Sequence, residues 1–333
     1  MNDQKKIKIG LKVSKNSQEG PNIFLEKFRI RALKDKLAEF YPHYSWKNEV
    51  SIFASTAPFF TLSPFILRLD GIYYDLGRDK KYNDKYNKPI LKSYKKASGF
   101  IFQSHFAKEL VESYFGEKNI PTEVIFNGSR VTDESPEKLV EIRQSNKRKK
   151  IICSSNWRPN KRLDAIIKTV IKVRKEVDCE LIIIGNINES IPDEEFIKPV
   201  GYINNKELDT LLKDGNAFIH LCLLDNCPNS VIEAITNKLP VITSNLGGTK
   251  ELIKATSGGI VSECDQEINF RKYVDQQNPP SPDIGKLTED LLTLFHNEER
   301  ITKQIDTHPV DIKTTAKAYV DFAVKVARKD HRS

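Results

Sequence analysis

Apolar and polar positions alternate with a period of two along Lys6-Ile7-Lys8-Ile9-Gly10-Leu11-Lys12-Val13, which predicts a strand, and the small and polar run Ser14 to Gly20 predicts a loop after it. From Pro21 onward Phe24, Leu25, Phe28, Ala32, Leu33 and Leu37 fall three or four apart, the spacing of one helix face. Pro21 suits a first helical turn because its missing N–H would have no partner there. The alternation continues through strands at 65–70, 99–102 and 124–126, with a loop and helix over 78–96 and a helix over 107–115, and Asn127-Gly128 marks a turn. Polar and charged residues 129–148 predict a linker with a short helix.

Beyond residue 150 the apolar runs are longer and cleaner. Segments 151–153, 181–185, 217–221 and 240–243 read as strands, and Leu163, Ile166, Ile167, Val170 and Ile171 mark a helix face, with further helices over 208–212 and 229–236. Strands with no polar face must be buried on both sides, so strands of this kind alternating with helices predict a parallel sheet covered by helices. A last amphipathic helix carries Ile312, Ala316, Tyr319, Val320, Ala323 and Val326. The expectation is α/β twice over: an N-terminal domain over 1–128, a linker over 129–148, a second domain over 149–309, and a helix within 310–333 that packs back on the first domain.

Composition narrows the class. A chain of 333 residues exceeds one ordinary core, and 39% apolar with 29% charged residues describes a globular chain rather than a disordered one. No run approaches the ~18–20 apolar residues of a membrane helix and the first residues are polar, so a cytoplasmic protein is expected, with peripheral membrane contact as a further expectation. The five cysteines are widely spaced with no Cys-x-x-Cys pair, which argues against a zinc or dithiol centre and for a reducing compartment. The net charge of +8 lies wholly within residues 1–128, and residues 78–96 alone hold eight Lys or Arg against two Asp, interleaved with tyrosines. Such a segment suits an anionic membrane surface or a phosphate-linked acceptor, the alternative being a solvated helix face.

Ligands of open parallel sheets bind at the carboxyl ends of strands, where loops enter helix N-termini. Three loops qualify. Ser154 to Arg162 carries Arg158, Lys161 and Arg162, cations able to neutralise a diphosphate. Leu224 to Ala234 places Asp225 before a helix start and Glu233 about one turn inside it, two carboxylates suited to sugar hydroxyls, while the N–H groups around Asn229 to Val231 suit a phosphate. Asn245 to Leu252 contains Gly247-Gly248, where backbone can approach closely. Neither Gly-x-Gly-x-x-Gly nor a P-loop is present, which removes the main support for a dinucleotide dehydrogenase or an NTPase. His105 and His220 are read as packing or surface residues, and nothing marks Cys227 as a nucleophile.

Together these loops resemble the family 4 retaining glycosyltransferases (glycosyl transferases group 1). The acid-x7-Glu signature corresponds to Asp225 and Glu233 and continues through Pro228-Asn229, Leu239-Pro240-Val241-Ile242, Gly247-Gly248 and Glu251-Leu252. The match is strongest over residues 150–255 and is weaker in Arg68 to Tyr73, Phe102-Gln103-Ser104 and Ile125 to Gly128. The resemblance implies the GT-B fold, two Rossmann-like domains with parallel sheets facing each other across a cleft, and transfer of a hexose or N-acetylhexosamine from a UDP- or GDP-sugar to an acceptor hydroxyl without a metal or other cofactor. It implies that Glu233 binds the ribose, Asp225 the transferred sugar, and the N–H groups of Cys227, Pro228-flanked Asn229, Ser230 and Val231 the sugar and phosphate. Lys161 with Arg158 would hold the diphosphate, Gly201 and Tyr202 would line the base pocket supported by Glu251, Gly20 at a helix start would approach the phosphate, and Asp70 would face the acceptor hydroxyl or anomeric centre. Two positions depart from the family pattern: Asp225 stands where Glu is usual, and Asn156 stands where arginine precedes the lysine by five, so that Arg158 or Arg162 takes its part. The implied partners are a nucleotide sugar and a glycan or lipid-linked acceptor, not nucleic acid. A nucleotide-sugar epimerase of the same fold and a non-catalytic protein binding nucleic acid through its basic surface are the alternatives.

Overall fold

The computed structural model describes residues 6–12, 20–76, 80–187, 189–272 and 274–330. The loop expected over Ser14 to Gly20 lies outside the described residues except for Gly20, as do residues 78 and 79 of the basic segment. The chain forms two compact units, the first from Met1–Ser129, Phe270–Tyr273 and Val310–Ser333, the second from Arg130–Asn269 and Val274–Pro309.

The first unit contains β1 (Ile7–Leu11), α1 (Gly20–Lys34), β2 (Ala38–Pro42), β3 (Val50–Ala54), β4 (Phe65–Leu69), α2 (Lys80–Lys96), β5 (Gly99–Phe102), α3 (His105–Phe115) and β6 (Thr122–Val124). The strands form a six-stranded parallel sheet in the order β2-β1-β3-β4-β5-β6. β4 and β5 are buried at every position, Arg68 included, the burial that their predominantly apolar sequences require.

The second unit adds α4 (Pro136–Gln144), β7 (Lys149–Ser154), α5 (Leu163–Val173), β8 (Cys179–Ile184), β9 (Ile197–Gly201), α6 (Asn205–Asp214), β10 (Ala217–His220), α7 (Asn229–Thr236), β11 (Val241–Ser244), α8 (Thr249–Thr256), β12 (Gly259–Ser262), α9 (Ile284–His296) and α10 (Glu298–Gln304). Its six parallel strands run β12-β11-β10-β7-β8-β9, which is the order of a Rossmann sheet, with the winding direction reversing between β7 and β10. Two Rossmann-like α/β domains are therefore present, each with its own sheet.

Residues 130–148 are part of the second unit. Arg143 on α4 is fully buried and donates to the carbonyls of Lys213 at 3.1 Å, Asn237 at 3.1 Å and Lys238 at 2.8 Å and to Thr302 Oγ1 at 3.0 Å. Its charge thereby satisfies the carboxyl ends of α6 and α7, where helix carbonyls lack partners. Burial pushes its pKa down to about 10 against the raising effect of Glu298 and Asp214. The final helix, α11 (Ile312–Asp330), belongs to the first unit: Ala316, Tyr319, Val320, Phe322, Ala323 and Val326 enter the same core as Ile9, Phe24, Phe28 and Ile52. The Tyr319 ring lies 5.3 Å from Phe24 and 5.2 Å from Phe28. No helix among the described residues is long and apolar enough to cross a membrane, and all five cysteines are buried free thiols.

Candidate functional site

The reversal between β7 and β10 sends the loops that follow them in opposite directions and opens a crevice at their carboxyl ends. The loop after β7 turns through a short 3-10 segment, Pro159–Lys161, and enters α5; the loop after β10 enters α7. Backbone bonds stitch them together, Leu223 N–H donating to the Asn160 carbonyl at 2.8 Å. Lys161 from one loop and Asp225 from the other then meet as an ion pair, Nζ to Oδ2 at 2.7 Å, with about a fifth of each side chain exposed at 17% and 19%.

Burial opposes both charges, yet the pair wins. Desolvation would lower the Lys161 pKa, but Asp225 and Cys222 together hold it above its ordinary value. Desolvation would likewise raise Asp225, but the Lys161 ammonium holds its carboxyl well below the usual carboxylate range. Both groups are ionised at neutral pH. His220, at the end of β10, is buried, and its Nε2 stands 3.5 Å from Asp225 Oδ2, too far and too poorly aligned for a hydrogen bond. Burial lowers its pKa against the opposing pull of Asp225, so the imidazole is neutral. Burial also pushes the Cys222 thiol up to about 12.

A ligand atom each from His220, Cys222 and Asp225 lie within 4.8 Å of one another, a spacing compatible with a metal ion. The Lys161 ammonium already occupies Asp225 Oδ2, so a divalent cation would have to share that oxygen with a fixed positive charge. The donor set fits a metal poorly.

Arg162 follows Lys161 in a left-handed backbone conformation (φ 54°) that turns its side chain inward. It is 2% exposed and forms a bidentate pair with Asp265 at 2.6 and 2.9 Å, while also donating to the Leu221 carbonyl at 2.5 Å and Ser244 Oγ at 3.2 Å. Of the two arginines the resemblance left open, Arg162 is therefore committed to an internal lock. Arg158, the residue immediately before the 3-10 segment, is exposed and makes no ion pair among the described residues.

Gly247 explains the third loop. It has φ +69°, and a Cβ there would lie 2.7 Å from the Asp225 carbonyl oxygen, while Gly248 N–H donates to that oxygen at 2.7 Å. The Gly-Gly step thus supports the backbone of the Asp225 loop from below.

Pro228 caps the N-terminus of α7 without a side-chain bond, and Asn229, Ser230 and Val231 form its first turn, with Cys227 buried just before it. Glu233, half-buried, follows within α7. Gly201 (φ +67°) and Tyr202, which is 67% exposed, lie at the end of β9, two strands from β7, and Glu251 is in the first turn of α8.

Gly20 and Asp70 belong to the first unit. Gly20 begins α1. Asp70 follows β4 and pairs with Arg68, a fully buried arginine that also donates to Tyr319 Oη at 3.0 Å and Asn127 Oδ1 at 2.6 Å and lies 4.8 Å from the Phe24 ring centre. Burial raises the Asp70 pKa and Arg68 counters it. Arg68 thereby ties β4, α1, α11 and the segment after β6 together around Asp70.

The sequence reading missed His220, Cys222 and Asp265 as neighbours of the site. Asp265 could not have been found by spacing, being 103 residues from its partner. His220 carried a faint signal, since it ends a strand five residues before Asp225.

Residues 134–277 match the family model described as glycosyl transferases group 1. No curated protein matches the chain in sequence. Among solved structures, sucrose-phosphate synthase from Thermosynechococcus elongatus is similar over 98% of this chain and 98% of its own, with a TM-score of 0.63 and 10% identity. The Anabaena protein HepE, solved with UDP and glucose, is similar over 98% of this chain and 99% of its own, with a TM-score of 0.57 and 13% identity. A chain of the GtfA/B complex is similar over 80% of this chain, with a TM-score of 0.58 and 13% identity, and this chain spans only 54% of that one. At such identities the likeness concerns the fold, which is that of GT-B glycosyltransferases, and the family match, over residues 134–277, lies mostly within the unit that carries the Lys161–Asp225 pair.

Proposed function

We propose that the chain is a retaining glycosyltransferase that moves a hexose or N-acetylhexosamine from a UDP- or GDP-sugar to an acceptor hydroxyl in glycan, polysaccharide or glycolipid synthesis. The observation that carries this reading is the Lys161–Asp225 pair at the strand-order reversal, within an acid-x7-Glu pattern that opens α7.

The transition state of such a transfer carries negative charge on the departing diphosphate and positive charge on an oxocarbenium-like sugar. Lys161, held protonated by Asp225, supplies a fixed cation for the first, with exposed Arg158 beside it and the first turn of α7 offering its dipole. No metal is needed for this charge in the proposed mechanism. Asp225, held ionised, accepts from sugar hydroxyls and stabilises the developing positive charge; Glu233 accepts from the ribose. Neutral, buried His220 keeps water from the inner side of Asp225. Gly201, Tyr202 and Glu251 belong to the base end of the donor, Gly20 to its phosphate, and Asp70 to the acceptor hydroxyl or the anomeric centre.

The test incubates the protein with UDP- and GDP-sugars and follows nucleotide release. Removing one fixed charge-stabilising donor costs about 10²–10³ in kcat, so Lys161→Ala falls by that factor, whereas Glu233→Ala acts mainly on donor KM. Unchanged turnover in Lys161→Ala would overturn the assignment. Conversion of a UDP-sugar with no acceptor present, seen by sugar NMR, would point to an epimerase instead.

A further inference from the structure

Helix α2 carries two opposed stripes. Asn83, Asn87, Ile90, Ser93 and Tyr94 are buried, while Lys81, Lys85, Lys88, Lys92 and Lys95 recur three or four apart on the exposed side, joined by Lys96. Among the described residues, none of these six lysines pairs with a carboxylate. Several exposed helix lysines elsewhere are neutralised at i,i+4, Lys168 by Asp164, Lys213 by Asp209, Lys303 by Glu299 and Lys317 by Asp321, and single ones such as Lys172, Lys206 and Lys254 are not; α2 gathers six unpaired lysines on one helix. A merely solvated face would gain from the same pairing.

Three large apolar side chains stand beside the stripe. In the loop between β3 and β4, Phe59 is 91% exposed, Phe60 75% and Leu62 53%. This loop is tied to α2: Ala57 N–H donates to Ser93 Oγ at 2.9 Å, and Lys96 Nζ donates to the Phe59 carbonyl at 3.2 Å and lies 4.1 Å from its ring centre. Unneutralised lysines next to exposed apolar tips are the composition of a surface that meets anionic headgroups while its apolar residues enter the boundary below them.

We propose that this face of the first unit docks on an anionic lipid membrane, with the α2 lysines against the headgroups and Phe59, Phe60 and Leu62 in the headgroup–acyl boundary. Nucleic acid would use the same charge, but bases need open ring faces and hydrogen-bonding edges. The Phe59 ring is already covered on one face by the Lys96 ammonium, and Phe60 and Leu62 offer no edges. The docking face is independent of the donor chemistry of the second unit.

The test sediments the full chain with phosphatidylcholine vesicles, with and without phosphatidylglycerol, at low and physiological salt. Binding is expected only with phosphatidylglycerol. Each lysine near an anionic surface is worth about fivefold in affinity, so Lys85→Gln/Lys88→Gln/Lys92→Gln weakens binding about 100-fold. Phe59→Ser/Phe60→Ser weakens it by about tenfold or more, and this loss persists at high salt because it is apolar. All these side chains are exposed, and Lys88→Gln alone, expected to lose about fivefold, serves if the triple variant does not fold. Indifference of the folded wild type to phosphatidylglycerol, unaltered binding by the Phe59/Phe60 variant, or tighter binding to a single-stranded RNA than to the vesicles would each overturn the proposal.

Discussion

Replacing Arg162 by methionine removes one half of a buried ion pair and leaves the other half behind. Arg162 and Asp265 are 1% and 2% exposed in their side chains, so after the substitution the Asp265 carboxylate is left in the interior with its main partner gone. Breaking such a pair from one side costs about 3–5 kcal/mol, because the surviving charge keeps its desolvation penalty. The bonds to Leu221 and Ser244 are lost as well. The left-handed backbone at Arg162 is neutral in this comparison, since methionine bears the same strain there as arginine. Taking ~4 kcal/mol and the ~2–4 °C that each kcal/mol moves the midpoint of a unit this size, the second unit should melt about 8–16 °C lower. The first unit's transition should not move. The double variant Arg162→Met/Asp265→Leu removes both charges and should recover most of the loss, giving a coupling of at least ~2 kcal/mol in the cycle. Differential scanning calorimetry of the four proteins reads both quantities. A shift of the second transition under about 3 °C in Arg162→Met, or a double variant as unstable as the sum of its parts, would refute the account of Arg162 as an internal lock.

Two left-handed glycines give a matched comparison. Gly201→Ala has φ +67° and no atom within 4 Å of the new Cβ, so it should cost only the backbone term of about 1 kcal/mol, whereas Gly247→Ala meets the Asp225 carbonyl at 2.7 Å and should cost at least ~2 kcal/mol more and lower donor affinity; equal urea midpoints would contradict this. The pKa of His220 is lowered by burial, so the unfolded chain takes up its proton first as pH falls. Stability of the second unit is then fully present above about pH 6.5 and declines below it, and His220→Gln should flatten that decline in urea titrations between about pH 7 and pH 5; an unchanged slope would exclude His220 as its source.

Local pattern was enough for the class of fold. Predominantly apolar segments such as Phe65–Leu69, Cys179–Ile184 and Val241–Ser244 are buried as parallel strands, because only a sheet covered on both faces can hide side chains that point both ways. The strands that went unanticipated have a physical reason. β2, β9 and β12 are sheet edges, where one neighbour and partial solvent contact suffice; β9 even holds Pro199 and Lys198. β3 is central and buried at Val50–Phe53, but Ser51 interrupts its short apolar run, and the sequence reading missed it.

The acids Asp225 and Glu233 and the cations Arg158, Lys161 and Arg162 were visible because their chemistry is bound to short spacings. Their partners were not. Which arginine faces outward was decided by Asp265, the protonation of Lys161 by Asp225 some 64 residues away, and the role of Gly247 by the Asp225 backbone. Sequence by itself determined which side chains are available and that two parallel α/β sheets form around them. Strand order decided which of those side chains meet: the reversal between β7 and β10 juxtaposes two loops that no local pattern links, and burial there converts ordinary charges into a fixed pair.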